Sequence, residues 1–282
     1  MLVYLNGAFV DETAASVPVT DRGFLLGDAL FETVRAAGGV PLLWEAHGER
    51  MRRGLELLGL LVAWDSRQFE ALVVELLSRN GLRDAVIRIT ITRGSGARGY
   101  SPRGAGRPTI LLTAQPAPAP FGGLAAGADN GWKVITSQYR VPPPSALAGI
   151  KHTNRLSSVL ARMEADAAGV DESLMLSVDG AVAEASGSNL VWWEAGELYT
   201  PATTTGALPG VMLEFVGATA RGLGWGWRTA RADLNRVWGS AGAFLTNSVH
   251  LMVPITQWDG RPLASEAKND VLRAELSRRL LA

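Results

Sequence analysis

Apolar and polar positions alternate along residues 3–10, and Asn6-Gly7, the dipeptide favoured in tight hairpin turns, interrupts them. The chain is therefore expected to open on a hairpin. Phe31 to Arg35 and Val40 to Leu43 flank Gly38-Gly39 and read as a second hairpin, although 29–35 fits a helical turn equally well. The period then changes. Met51, Leu55 and Leu58 recur at helical spacing, with His47, Arg50, Arg53 and Glu56 on the other faces, which predicts a helix over 45–58. A second helix is expected over 66–79, and half-buried strands over 86–93 and 109–113. Beyond residue 130 the pattern predicts a strand at 132–136 and a helix at 155–168. A hairpin follows, 173–177 with 181–184, about Asp179-Gly180. Strands at 189–193 and 198–199, a helix from 208 to 222 with Pro209 in its first turn, short strands at 242–246 and 252–255, and a closing helix at 266–281 complete the series.

No repeat is visible, and the elements group as two α+β domains. The proline- and glycine-rich run 115–123 is the natural boundary, because prolines stiffen a connector and glycines loosen it. The expected division is a small domain over 1–117, a linker over 118–130 and a larger domain over 131–282. With 282 residues there is ample length for two buried cores. Formal charge is zero, which argues against nucleic acid or a polybasic membrane role. Cysteine is absent, so disulfide and thiolate chemistry are excluded. His47, His152 and His250 lack metal-ligand spacing, so no metal is expected. Neither a signal peptide nor a membrane span is apparent, and a cytoplasmic location is the expectation.

Among familiar motifs, Gly94-Ser95-Gly96-Ala97-Arg98-Gly99 matches G-x-G-x-x-G and follows a strand. A dinucleotide site also needs a helix there, whereas Tyr100-Ser101-Pro102-Arg103-Gly104 is loop material. Nucleotide-loop, serine-hydrolase and zinc-protease signatures are absent. The chemically distinctive residue is Lys151. Of 27 basic residues only Lys133, Lys151 and Lys268 are lysines. An arginine cannot serve as an amine nucleophile, while a partly desolvated lysine can lose its proton and form a Schiff base.

The residues that accompany Lys151 suit an aldehyde cofactor bearing a phosphate. A carboxylate must keep such a cofactor's ring nitrogen protonated, and Glu184 stands at a strand end before small residues that permit close approach. Arg50, the helix start at Gly210-Val211-Met212 and the run Thr246-Asn247-Ser248 offer phosphate donors. Taken together these segments resemble the class IV aminotransferase family, the fold-type IV enzymes that use pyridoxal phosphate. Asp21-Arg22-Gly23 with Gly27-Asp28 and Phe31-Glu32 is similar to its N-terminal signature, and His47-x-x-Arg50 to its phosphate-binding motif. Glu184 with Gly187-x-Asn189-Leu190 matches the pyridine-nitrogen motif, with Ser188 at its open position expected beside the cofactor, and Lys151 matches the cofactor lysine. Gly210, Val211, Met212, Asn247 and Ser248 match the phosphate cup.

The resemblance implies a small N-terminal α/β domain and a larger C-terminal domain, with pyridoxal 5'-phosphate between them. Arg155 stands near where branched-chain enzymes carry a tyrosine that touches the cofactor, and an analogous contact is expected. Met212 replaces a frequent threonine, leaving its backbone N–H, and Leu213 replaces a frequent arginine. The loop Arg93-Gly94-Ser95-Gly96-Ala97-Arg98-Gly99-Tyr100 and the segment around Lys151 are similar to aminodeoxychorismate lyase, which eliminates pyruvate to leave 4-aminobenzoate. The alternative is a transaminase of D-amino or branched-chain amino acids with a 2-oxo acid acceptor. In either case the substrate is a small amino compound with a carboxylate. Phe31, Thr33, Arg93 and Arg98 are the expected substrate residues, and Arg98 is expected to act from the neighbouring subunit of a homodimer. A catalytically silent binding protein on the same scaffold is a further reading, against which Lys151 and Glu184 both argue.

Overall fold

The computed structural model describes residues 1–123 and 131–281. By their contacts these divide into two units, Met1–Ala117 with Gly149–Asn154, and Pro118–Ala148 with Arg155–Ala282. Gly149–Asn154, expected in the second domain, clusters with the first unit because its backbone bonds there. Phe31 N–H donates to the Lys151 carbonyl, Thr153 N–H to that of Ala29, and Leu30 and His152 form a β-bridge. Of the expected linker, residues 124–130 lie outside the described residues.

The first unit is an antiparallel sheet backed by two helices. Its elements are β1 (Leu2–Leu5), β2 (Ala8–Asp11), α1 (Arg22–Leu26), β3 (Ala29–Ala37), β4 (Val40–Pro41), α2 (Trp44–Leu58), α3 (Ser66–Arg79), β5 (Ala85–Thr92) and β6 (Thr109–Pro116). Strand order is β2-β1-β6-β5-β3-β4. The ambiguity at 29–35 resolves to a strand, since β3 pairs with β5 from Ala29–Thr92 to Ala36–Ala85. Alternation then turns Leu30, Val34 and Ala36 toward Met51, Leu55, Val73 and Leu76 of the helices, in one core with Ile87, Ile89 and Ile91. Asp65 caps α3 by accepting from the N–H groups of Arg67 and Gln68. The glycine-punctuated run 21–28 contains the unforeseen α1, capped by Asp21.

The second unit is built on a larger mixed sheet. In order it holds β7 (Trp132–Val141), α4 (Leu156–Ala168), β8 (Glu172–Ser177), β9 (Val182–Ala185), β10 (Asn189–Glu194), β11 (Glu197–Pro201), α5 (Val211–Gly222) and β12 (Trp227–Ala230). Then come α6 (Leu234–Trp238), β13 (Gly242–Asn247), β14 (Leu251–Trp258), β15 (Arg261–Pro262) and α7 (Lys268–Leu280). The sheet runs β12-β11-β10-β13-β14-β7-β8-β9, with β15 on β14, and β9 returns to pair with β10 at Glu184–Asn189. That pairing closes the path β10-β13-β14-β7-β8-β9 on itself. Trp192, Trp258, Leu190 and Leu245 fill its core. β12 and α6 escaped the sequence pattern because both are short, and β12 is largely polar.

Candidate active site

In the first unit, β3 lays out candidate side chains on both faces of the sheet. Glu32 is buried and grips Arg50 of α2 with a two-pronged ion pair, Nε to Oε1 and Nη2 to Oε2, each 2.7 Å. His47, one helical turn before Arg50, places Nδ1 2.7 Å from Glu32 Oε2. Because that partner is a carboxylate, Nδ1 carries the ring proton. Burial alone would push the Glu32 carboxyl up. The Arg50 guanidinium, helped by the His47 hydrogen bond, outweighs it and holds the pKa at about 2. Burial pushes His47 down, against the pull of Glu32, and the charges of Arg50 and Lys151 push the same way as burial.

The opposite face of β3 presents Phe31 and Thr33. Lys151, half-buried, holds its Nζ 4.6 Å from the centre of the Phe31 ring, and the Arg88 guanidinium of β5 stands 3.9 Å from the same centre. Thr33 is the register partner of Arg88. Alternation therefore gathers an aromatic wall, a hydroxyl and two cations on one face. Arg88 was not singled out by sequence reasoning. The alternation of β5 exposes it, but only the β3–β5 register sets it beside Phe31.

The loop after β5 is held at its start by Asp28 and the end of α2. All three guanidinium nitrogens of Arg93 are engaged, by Asp28 at 2.7 and 2.9 Å and by the carbonyls of Leu58 and Gly59 at the end of α2. Arg98 lies exposed at residues 97–100 of this loop. Neither Arg88 nor Arg98 has a carboxylate partner among the described residues.

In the second unit, closure of the sheet assembles the other residues. Glu184 and Asn189 are register partners across β9 and β10, and Asn189 also pairs with Thr246 of β13. Both grip the backbone of Leu208. Leu208 N–H donates to Glu184 Oε2 at 2.8 Å, and Asn189 Nδ2 donates to the Leu208 carbonyl at 2.8 Å. This clamp aims the chain through Pro209 into α5, whose N-cap is Gly210 and whose first turn takes no side-chain cap. A Cβ on Gly210 would stand 2.0 Å from Asn189 Oδ1, so close packing, not backbone conformation, demands glycine there. Val211 and Met212 open the helix, and their aligned N–H groups favour an anion. Asn247 accepts from the N–H groups of Val249 and His250 and donates to Ser188 Oγ at 2.8 Å. Ser248 therefore sits in a turn tied to the β9–β10 connection. Arg155, half-buried, is the N-cap of α4.

The family model for amino-transferase class IV matches residues 29–258. A Methanocaldococcus jannaschii protein, provisionally assigned as a branched-chain-amino-acid aminotransferase, is 34% identical over 274 residues, covering 97% of this chain and 93% of that one. The aminodeoxychorismate lyase of Bacillus subtilis is 30% identical over 261 residues, 91% of this chain and 86% of its own. Among solved structures, the branched-chain aminotransferase of the thermophilic archaeon Thermoproteus uzoniensis with norvaline superposes with a TM-score of 0.89 at 27% identity, covering 98% and 94% of the two chains.

Proposed function

This chain belongs to the class IV aminotransferase family, and on that premise we propose that it is an aminodeoxychorismate lyase. It is a pyridoxal-phosphate-dependent enzyme, and its residues fit that group. A lysine amine stands against an aromatic ring, a buried carboxylate closes a sheet turn, and a glycine-capped helix start offers N–H groups to a phosphate. When bound, pyridoxal phosphate supplies the electron sink that lets a proton leave the carbon bearing the substrate nitrogen.

The residues of the chain supply the rest. Lys151 carries the cofactor and then, through Nζ, accepts that proton. Phe31 shields one side of the amine from water. Glu184, its orientation fixed by Leu208 N–H, keeps the ring nitrogen protonated. Gly210, Val211, Met212 and Ser248 donate to the phosphate, Asn247 and Ser188 hold that turn in place, and Asn189 sets the start of α5. Arg50, locked by Glu32, adds a fixed positive charge toward the phosphate. Arg155 contacts the cofactor from the start of α4.

The observation that carries the lyase reading is the pair Arg88 and Arg98. Two guanidinium groups without carboxylate partners, Arg88 beside Phe31 and Arg98 on the exposed loop, suit the two carboxylates of aminodeoxychorismate. Thr33, beside Arg88, offers a hydroxyl to the departing enolpyruvyl oxygen. The M. jannaschii relative and the 0.89 superposition favour a second reading, a transaminase, since a dicarboxylic 2-oxo acid would satisfy the same arginines. We also propose a homodimer in which Arg98 serves the neighbouring subunit. The apolar side chains of Val19, Phe24 and Leu25, 79, 75 and 58% exposed, support an interface near α1. No helix among the described residues is long and apolar enough to cross a membrane.

One experiment separates the two readings. The purified holoenzyme is incubated with aminodeoxychorismate, and separately with D-alanine or L-leucine plus 2-oxoglutarate. Release of pyruvate and 4-aminobenzoate supports the lyase. Amino transfer to 2-oxoglutarate, with no 4-aminobenzoate from the first mixture, overturns it.

A further inference from the structure

We propose that Arg22 is a positioning residue, which with Asp28 clamps the 93–101 loop so that Arg98 meets a substrate carboxylate. This rests on the assignment of Arg98 above. Arg22 is 4% exposed, an unusual place for an arginine. Its Nε donates to Asp28 Oδ2 at 2.9 Å. Its Nη1 donates to the carbonyls of Gly99 and Ser101, each 3.1 Å away, and its Nη2 to that of Tyr100 at 3.0 Å. One guanidinium thus holds three successive carbonyls immediately after Arg98.

Asp28 is the keystone, because the same carboxylate also takes two hydrogen bonds from Arg93, at the loop's start. Asp21 ties down the base of the loop. Its Oδ2 accepts from the hydroxyls of Thr92 and Thr109, and its backbone bridges Ser95. The loop sequence is fitted to this clamp, since a Cβ on Gly96 would lie 2.8 Å from Arg22 Cδ. A lysine at 22 would keep the charge but lose the planar fork that reaches carbonyls and carboxylate together. None of these hydrogen bonds involves Lys151, so the clamp acts on substrate recognition and leaves cofactor binding alone.

The test uses the holoenzyme and the variants Arg22→Lys and Gly96→Ala, the second of which removes no hydrogen-bonding group. Limited trypsin digestion reads the loop directly, because Arg98-Gly99 is a cleavable bond within it and Arg103-Gly104 one just beyond it. Both variants are expected to be cut there about tenfold faster, with the rest of the chain intact. In parallel, kcat/KM for a carboxylate substrate should fall about tenfold, mainly through KM, while an amine lacking the carboxylate is unaffected. In an Arg98→Ala background the Arg22→Lys effect on kcat/KM should vanish. Unchanged cleavage in both variants overturns the clamp, whatever the kinetics. Faster cleavage with equal losses on both substrates overturns the action through Arg98. In that outcome the failure lies in the role assigned to Arg98, and Arg98→Ala alone would show the same lack of selectivity.

Discussion

Replacing Glu32 by Gln isolates the buried ion pair that orients Arg50. The pair is 1 and 5% exposed, and the substitution leaves the Arg50 guanidinium facing a neutral amide with only one acceptor oxygen. A carboxyl held at about 2 in place of its ordinary 4.5 corresponds to about 3 kcal/mol of stability at pH 7. That agrees with the cost of breaking a buried pair from one side, about 3–5 kcal/mol. The sign is fixed by the lowered pKa. The contribution is complete above about 4.5, the unfolded value, and is lost as pH falls toward about 2. The difference between wild type and Glu32→Gln should therefore shrink below half of its neutral-pH size by about pH 3. Urea unfolding followed by hydrogen exchange at the β3 amides measures it within the first unit. A gap under about 1 kcal/mol at neutral pH, or one that stays constant through acid, would refute the reasoning.

Other outcomes follow from the same geometry. Gly210→Ala forces the start of α5 away from Asn189 and should weaken cofactor binding by about tenfold or more in an equilibrium titration, with thermal stability only modestly reduced; an unchanged affinity counts against the anion site there. Glu184→Gln still accepts from Leu208 N–H, so the fold and cofactor content should survive while kcat drops about a hundredfold; near-wild-type kcat with full cofactor would remove Glu184 from its role. Arg98→Ala should lower kcat/KM for a carboxylate substrate by roughly 30-fold, about 2 kcal/mol, with cofactor binding spared; equal slowing of an amine without the carboxylate would show that Arg98 only shapes the loop.

Much of this was legible in the sequence because local rules and tertiary packing agree. The helix over 66–79 is written twice, in its apolar period and in the Asp65 cap, and the Asn6-Gly7 and Asp179-Gly180 turns are written in their dipeptides. The candidate site residues were legible as types, since Lys151 is one of few lysines and Glu184 precedes a small-residue turn. Their partners were not. Nothing local tells that Glu184 and Asn189 grip the backbone of the same residue, because that depends on β9 returning to β10. The Glu32–Arg50 pair and the Arg88–Phe31 contact depend likewise on which strand and helix meet. Arg93 read as a substrate group because its loop resembles that of aminodeoxychorismate lyase. Only the position of Asp28 and the end of α2 shows where its donors go. Gly149–Asn154 joins the first unit through backbone bonds, which leave no mark on composition.

The central claim is that Lys151 carries the cofactor, and the scarcity of lysine makes it directly testable. The holoenzyme is reduced with borohydride, digested, and the pyridoxyl adduct located by mass spectrometry. The candidates are Lys133 on the exposed side of β7, Lys268 at the start of α7 with Nζ 5.4 Å from the Trp193 ring centre, and Lys151 against Phe31. The account predicts a single adduct, on Lys151, that disappears in Lys151→Ala together with turnover. An adduct on Lys133 or Lys268, or a reducible adduct that persists in Lys151→Ala, would contradict it.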